Sequence, residues 1–153
     1  MGNFSLTFID ECRGYFNEPA MKFDLVVADL HEQIFASLEV WSKQDYFDQW
    51  REGLKRIIDH KRSVLVTCVH HPKTANYIEL WELYVIENYV EAQNTYLAID
   101  ELDSPFDKNN VYKYVGDRVV ELDDGEEIIE WRISLKDVAA CLKSVEVMAA
   151  KHL

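Results

Sequence analysis

The chain has 153 residues with 28 acidic against 16 basic side chains, a net charge of −12, and 48% hydrophobic and 12% aromatic content. This length and composition exclude an intrinsically disordered chain and predict one folded domain over residues 1–153. The negative field makes nucleic acid and membrane surfaces poor partners and favours encounter with a basic protein, although charge of this size also serves solubility alone.

Nothing in the sequence marks the chain for a membrane or for export. It contains no stretch of 18 apolar residues, and its first residues show no basic region followed by an apolar stretch. The three cysteines, Cys12, Cys68 and Cys141, are widely separated and odd in number. We therefore expect a cytoplasmic protein whose reduced thiols serve as small core residues.

The first forty residues carry modest β signals. Apolar side chains alternate at Phe4, Leu6 and Phe8, which is typical of a short half-buried strand or an ordered arm. The β-rich run at residues 22–29 predicts a strand. Residues 30–39 show neither clear alternation nor a helical period, so we expect a short helical or irregular passage there.

A helix is predicted over residues 43–59. Ser42 and Asp45 have the spacing of a capping box, in which each side chain satisfies a free backbone donor of the first turn. Apolar residues then recur at helical spacing and define a face that packs on a sheet: Phe47, Trp50, Leu54, Ile57 and Ile58.

The middle of the chain predicts a β-hairpin. Residues 63–69 form a β-branched run typical of a buried strand. Residues 75–86 and 89–98 are strand-like and are separated only by Glu87 and Asn88. Because asparagine tolerates the left-handed conformation of a tight turn, the two runs should pair as antiparallel strands.

Turn-forming residues dominate positions 100–124, with at most a short helix near 111–115. A turn at 123–125 leads into a short strand at 128–133, and Ser134 with Asp137 caps a last helix. The sum is an α+β fold in a single domain, an antiparallel sheet of four or five strands with two main flanking helices. The last helix turns one apolar side inward: Leu135, Val138, Leu142, Val145 and Met148.

Motifs for catalysis or cofactor binding are missing from the sequence. There is no glycine-rich phosphate loop and no serine flanked by glycines. Cys68, His70 and His71 could form a metal site or a Cys–His pair at a strand end, but the second ligand pair of a zinc site is lacking. We therefore expect no catalytic residue, no metal, no cofactor and no enzymatic activity.

A carboxylate pair in the hairpin and the four tryptophans are further candidates for a site. Glu79 and Glu82 could form the carboxylate pair of a glycoside hydrolase. Residues three apart on a strand point to opposite faces, so these carboxylates should not converge unless a bulge intervenes. The four tryptophans are more typical of core or interface anchors than of base-stacking platforms: Trp41, Trp50, Trp81 and Trp131.

Negative charge concentrates in residues 100–130, where only Lys108, Lys113 and Arg118 are basic. A solvated surface and a docking face for a basic partner both fit this pattern. The acidic residues of the segment are Asp100, Glu101, Asp103, Asp107, Asp117, Glu121, Asp123, Asp124, Glu126, Glu127 and Glu130.

Short motifs over residues 22–142 follow one another in an order that resembles the immunity proteins of bacterial contact-dependent growth inhibition systems. The motifs are Asp29-Leu30-x-Glu32, Ile34-Phe35, Leu38-x-x-Trp41, Asp45-Tyr46, Gln49-Trp50-x-x-Gly53-Leu54, Ser63-Val-Leu-Val-Thr67, Pro72-Lys73-x-Ala75-Asn76-Tyr77, Trp81-x-Leu83-Tyr84, Gln93-Asn94 and Glu130-Trp131-x-Ile133-Ser134. The resemblance implies a cytoplasmic protein that forms a heterodimer with the toxic C-terminal domain of a cognate effector, commonly a basic nuclease, and blocks it without catalysis.

Two other functions are also consistent with the sequence. One is an acidic adaptor or nucleic-acid mimic that regulates a basic DNA-binding protein, and the other is a small enzyme that uses Cys68 or Glu79 and Glu82. The charge pattern, and not the resemblance, suggests which residues face a toxin. They are Asp100, Glu101, Asp103, Asp107, Asp123, Asp124 and Glu126, with Glu79, Glu82 and Glu87 as a competing patch along the hairpin.

Overall fold

The computed structural model describes residues 3–153. Seven strands and two long helices follow one another in this part of the chain, together with two short 3₁₀ helices at Ile99–Glu101 and Val111–Tyr114. The long elements are β1 (Phe4–Arg13), β2 (Pro19–Val27), β3 (Leu30–Ser37), α1 (Lys43–His60), β4 (Arg62–Val69), β5 (Tyr77–Ile86), β6 (Tyr89–Ala98), β7 (Trp131–Ser134) and α2 (Leu135–His152).

The strands form two antiparallel sheets, one with the order β1-β2-β3 and one with the order β4-β5-β6-β7. The α+β class and the two main helices are confirmed. The four-stranded sheet corresponds to the predicted sheet, and the N-terminal strands add a separate sheet of three. No helix within residues 3–153 is both long and apolar enough to cross a membrane.

The prediction for residues 30–39 is wrong, because most of this segment is strand β3. Every residue of β3 pairs with β2, from Leu30 opposite Val27 to Ser37 opposite Ala20. The inward alternation is visible only at Ile34 and Ala36, since the first half of the strand is largely exposed. Pairing with β2, rather than local propensity, makes this segment a strand.

The β5–β6 hairpin is confirmed, with continuous pairing from Tyr77 opposite Ala98 to Ile86 opposite Tyr89. The expected role of Asn88 in the turn is wrong. Glu87 adopts the left-handed conformation, with φ of 55°. The two-residue turn requires a positive φ at that position whatever side chain occupies it.

Helix α1 begins as predicted. Ser42 Oγ accepts from the Asp45 amide at 3.1 Å, and Asp45 Oδ2 accepts from the Ser42 amide at 2.9 Å. The predicted inward face is buried except at Ile58, whose side chain is 62% exposed. The prediction that Ile58 packs on a sheet is therefore wrong, because helix α1 turns this position to solvent.

Side chains of α1 close the free edge of strand β4. Gln49 donates to the Val64 carbonyl at 2.8 Å and accepts from the Val66 amide at 2.7 Å. Trp50 Nε1 donates to the Val66 carbonyl at 2.8 Å. The close approach requires Gly53, because a Cβ there would lie 2.5 Å from the Val64 carbonyl oxygen. Helix α1 thus satisfies backbone groups that would otherwise lie buried without partners.

The buried hydroxyl of Tyr46 joins the two sheets. Tyr46 Oη donates to the Ser37 carbonyl of β3 at 2.7 Å and accepts from the Val69 amide of β4 at 3.0 Å. Burial raises the pKa of the Tyr46 phenol well above its ordinary value, so it remains a neutral donor and acceptor. The bridge fixes β3 beside β4 without a backbone ladder between them.

The chain between β6 and β7 packs against α1 and β6. The predicted short helix is the 3₁₀ turn Val111–Tyr114, with Val111 buried. Phe106 lies 6.5 Å from the Trp41 ring and 5.2 Å from the Tyr114 ring. Strand β7 begins later than predicted, because Ile128 bonds to Val120 of its own loop and pairing with β6 starts only at Trp131.

Candidate protein-binding surface

Residues 119–129 form a hairpin-like projection that we call the acidic arm. The Ile128 amide donates to the Val120 carbonyl at 2.9 Å, and the Leu122 amide donates to the Glu126 carbonyl at 2.8 Å. Gly125 closes the tip with a φ of 85°. The predicted turn at 123–125 is confirmed, and it holds the arm as a local hairpin outside both sheets.

The acidic arm exposes both charge and apolar surface. It contains five carboxylates and no lysine or arginine, while four apolar side chains are between 47% and 69% exposed. Apolar groups left in water beside charged ones are typical of a surface that another protein covers. The carboxylates are Glu121, Asp123, Asp124, Glu126 and Glu127, and the exposed apolar residues are Val119, Val120, Leu122 and Ile129.

The base of the acidic arm is fixed to the sheet. Arg118 donates to both carboxylate oxygens of Glu130, at 2.8 and 2.6 Å, and this pairing lowers the pKa of Glu130. Gln93 of β6 donates to the Val119 carbonyl and to Glu130, both at 2.9 Å. Charge-assisted bonds of this kind hold the base of the arm in place and leave its tip free to bind.

The predicted toxin-facing acids of the loop fall on separate segments. Asp123, Asp124 and Glu126 lie in the arm, whereas Asp100, Glu101 and Asp103 follow the end of β6 and are exposed. Two of the seven predicted acids also stabilise their own loops. Asp107 accepts from the Asn109 amide at 3.0 Å and lies 3.7 Å from Lys113, and Asp124 accepts from the Glu126 amide at 2.9 Å.

The three glutamates of the hairpin do not form one patch. Glu79 lies opposite Tyr96 and Glu82 lies opposite Gln93, so the two carboxylates occupy opposite faces of the sheet, as their spacing predicts. Glu87 is in the turn. The pair therefore lacks the convergent geometry that glycoside hydrolysis requires.

Cys68 and His70 do come together, with Sγ 3.3 Å from Nε2. Burial raises the pKa of the Cys68 thiol to about 12 and lowers the pKa of His70, so both groups are neutral at pH 7. A nucleophilic cysteine needs the opposite shift. Within residues 3–153 no group of three or more metal-ligating side chains is placed to hold an ion.

The thiols should consequently differ sharply in reactivity. Cys12 is half-buried, whereas Cys68 and Cys141 are buried and have pKa values of about 12. At pH 8 we expect a thiol-specific disulfide reagent to modify Cys12 first and the other two only after unfolding. A Cys12→Ser variant should lose the fast phase, and rapid modification of two thiols in the native protein would contradict this assignment.

Sequence reasoning missed an aromatic surface. The exposed aromatic side chains of the described chain lie in one region. They are Tyr15 at 62%, Phe16 at 51% and Tyr96 at 60% exposure. With the partly buried Phe35 and Tyr77 they form what we call the aromatic patch. Alternation along each strand predicts a buried face and an exposed one, but not which aromatic residues remain uncovered.

Comparisons with known proteins agree on one family. A family model described as the CdiI N-terminal domain matches residues 36–141. The immunity protein CdiI of Enterobacter cloacae subsp. cloacae is 29% identical over 115 residues, which cover 74% of this chain and 79% of that protein.

The fold supports the same family. A chain of the solved CdiA-CT/CdiI toxin and immunity complex from Enterobacter cloacae superposes with a TM-score of 0.83 at 26% identity, covering 94% of this chain and 99% of that one. The motif order, the α+β architecture and the family match over residues 36–141 are consistent with one another. The chain therefore belongs to the CdiI family, the immunity proteins of bacterial contact-dependent growth inhibition.

Proposed function

We propose that this protein binds the toxic C-terminal domain of a cognate growth-inhibition effector and neutralises it as a one-to-one complex in the cytoplasm. Family membership supports the class of partner, since a similar chain occurs in a toxin and immunity complex. The observation that carries the proposal is the acidic arm, which exposes apolar residues and whose carboxylates form no salt bridge within residues 3–153. Binding alone, without catalysis, accounts for the protection.

We further propose that the toxin is a nuclease. An enzyme that holds a polyanion presents lysine and arginine side chains to phosphates, and such a surface attracts a protein of net charge −12. The carboxylates of the arm would then compete with nucleic acid for the same basic groups. Electrostatic steering would also raise the association rate, which suits a protein that must act before the toxin reaches its substrate.

The loop acids outside the arm fit as a second contact region. Asp100, Glu101 and Asp103 are exposed at the end of β6, and Asp107 follows in the same loop. Exposed carboxylates at a rim contribute mainly to association rate and to discrimination, whereas the apolar residues of the arm supply the desolvated contact. Charge complementarity with the cognate toxin would penalise other toxins.

Co-production in bacteria tests the proposal. The toxin domain encoded next to this gene is induced in cells that contain this protein, an empty vector or an unrelated acidic protein. We expect growth only with this protein, and purified toxin should lose nucleic-acid cleavage on addition of one equivalent. Cells that die equally in all three cases would overturn the proposal, and neutralisation of a toxin without nuclease activity would overturn only its chemical class.

A further inference from the structure

The aromatic patch lies where the two sheets and the β1–β2 turn meet. Tyr15 contacts Phe35 of β3 edge to face, with ring centroids 5.0 Å apart. Tyr77 of β5 contacts Tyr96 of β6 in the same manner at 5.3 Å. The His70 ring lies between Phe16 and Tyr77. Its centroid is 5.6 Å from that of Phe16 and 4.9 Å from that of Tyr77. Rings held in such mutual contact present a preformed surface that loses little side-chain freedom on binding.

Glu79 is the charged group within this patch. It lies directly opposite Tyr96 in the β5–β6 register, on the same face as Tyr77. The Glu79 carboxylate is close enough to raise the pKa values of Tyr15, Tyr77 and Tyr96, although burial is the larger cause in each. Its position therefore brings a negative charge among three tyrosine rings.

No cation neutralises Glu79 within the part of the chain that the structure describes. Its pKa is raised by burial and by the charge of Glu32, and hydrogen bonds from neighbouring polar side chains offset this rise only in part. Lys22 on the neighbouring sheet lies 6.0 Å from the Phe35 ring and forms no salt bridge with Glu79. A half-buried carboxylate without a cation costs folding stability, which favours a role in binding.

A second carboxylate lies beneath the patch. Glu18 is only 5% exposed, and its Oε2 accepts from the Phe16 amide at 2.8 Å. The other oxygen, Oε1, is buried without a hydrogen bond, packed against Gly14. Glu18 also contributes a charge that acts on His70. The patch is therefore apolar at its surface and doubly negative behind it.

We propose that the aromatic patch is a further toxin-contacting surface, where an arginine side chain of the toxin domain stacks on Tyr15 and Tyr96 and pairs with Glu79. This inference rests on the proposed function. A planar guanidinium can stack on aromatic rings and donate two parallel hydrogen bonds to one carboxylate, whereas an ammonium does so less well. Aromatic residues and arginine are also the side chains most enriched where protein interfaces hold most of their binding energy.

This arrangement serves discrimination as well as affinity. A toxin without the arginine would cover Glu79 and leave it buried and unpaired, which penalises the complex more than the loss of an exposed contact. The aromatic patch would then act chiefly on the dissociation rate. The acidic arm, whose charges are solvated, would act chiefly on association.

Glu79→Gln should separate binding from stability. The pKa of Glu79 is higher in the folded state than in the unfolded state, so the charged carboxylate destabilises the fold at neutral pH. This destabilisation disappears at low pH, where Glu79 is protonated in both states. We expect the variant to unfold about 2–4 °C higher at pH 7, with the difference shrinking as the pH falls through the folded pKa. Glu32 and Cys68 face the same region and remain unchanged in this comparison.

The experiment measures affinity of the full-length protein for the cognate toxin domain with Glu79→Gln and Tyr96→Ala. Each substitution should weaken binding about 10-fold, mainly through faster dissociation. Two controls match them: Glu146→Gln removes one exposed charge, and Ile58→Ala truncates an apolar residue of nearly equal exposure on α1. Both controls should bind like the unsubstituted protein.

The outcomes distinguish this inference from the function on which it rests. Weaker binding by both patch variants, with unchanged controls, supports the arginine site. Unchanged affinity in both patch variants while the unsubstituted protein binds tightly overturns the site and leaves the proposed function standing. Failure of the unsubstituted protein to bind overturns both.

Discussion

Gln49→Leu is expected to lower the free energy of unfolding by about 2–4 kcal/mol. The Gln49 amide satisfies the Val64 carbonyl and the Val66 amide on the edge of β4, both in the protein interior. Leucine fills a similar volume but can neither donate nor accept, so two buried backbone groups would lose their partners. The expected loss is a large part of the stability of a domain of this size.

Denaturant unfolding monitored by tryptophan fluorescence measures this effect. Gln44→Leu is the matched control, because Gln44 lies in the first turn of the same helix and is exposed. Its stability should change by less than about 0.5 kcal/mol. Equal effects of the two substitutions would show that Gln49 does not close the β4 edge as described.

Reversing charge in the acidic arm is expected to weaken toxin binding about 100-fold, mostly through slower association. The variant Asp123→Lys/Glu126→Lys changes the net charge by +4 and leaves Asp124, which stabilises the turn. The arm should stay folded, because its backbone hydrogen bonds and its Arg118–Glu130 anchor are untouched. Stopped-flow association and equilibrium titration give the two quantities.

An equal charge change elsewhere provides the control for the arm. Asp59→Lys/Glu146→Lys replaces exposed acids on α1 and α2 and also changes the net charge by +4. A local role of the arm predicts a much smaller loss of affinity in this control. If both double variants lose affinity equally, net charge rather than the arm steers the encounter.

Elements with local signals were predictable from the sequence. The start of α1 depends on Ser42 and Asp45, three residues apart, and both bonds form as their spacing predicts. The β5–β6 pairing likewise follows from two long runs and a short turn. Strand β3 was not predictable, because its conformation depends on pairing with β2 rather than on its own polar first half.

Of the candidate surface, only the negative charge was predictable from the sequence. The concentration of acidic residues in the loop between β6 and β7 is visible in the sequence, and the turn chemistry at Gly125 predicts the tip of the arm. The exposure of Leu122 and Ile129 was not predictable, since apolar residues in a loop could equally pack beneath it. The aromatic patch depends on side chains from three strands and a turn, which only the tertiary fold brings together.

The complex with the cognate toxin domain can be measured by calorimetric titration at about 0.05 M and about 0.5 M NaCl. We expect a one-to-one complex whose affinity falls as salt rises, since solvated carboxylates of the acidic arm steer the encounter. Binding should persist at high salt, because the apolar residues of the arm and the aromatic patch are screened little. Absence of binding at both salt concentrations would show that this protein is not the partner of that toxin and would favour an acidic adaptor of a different basic partner.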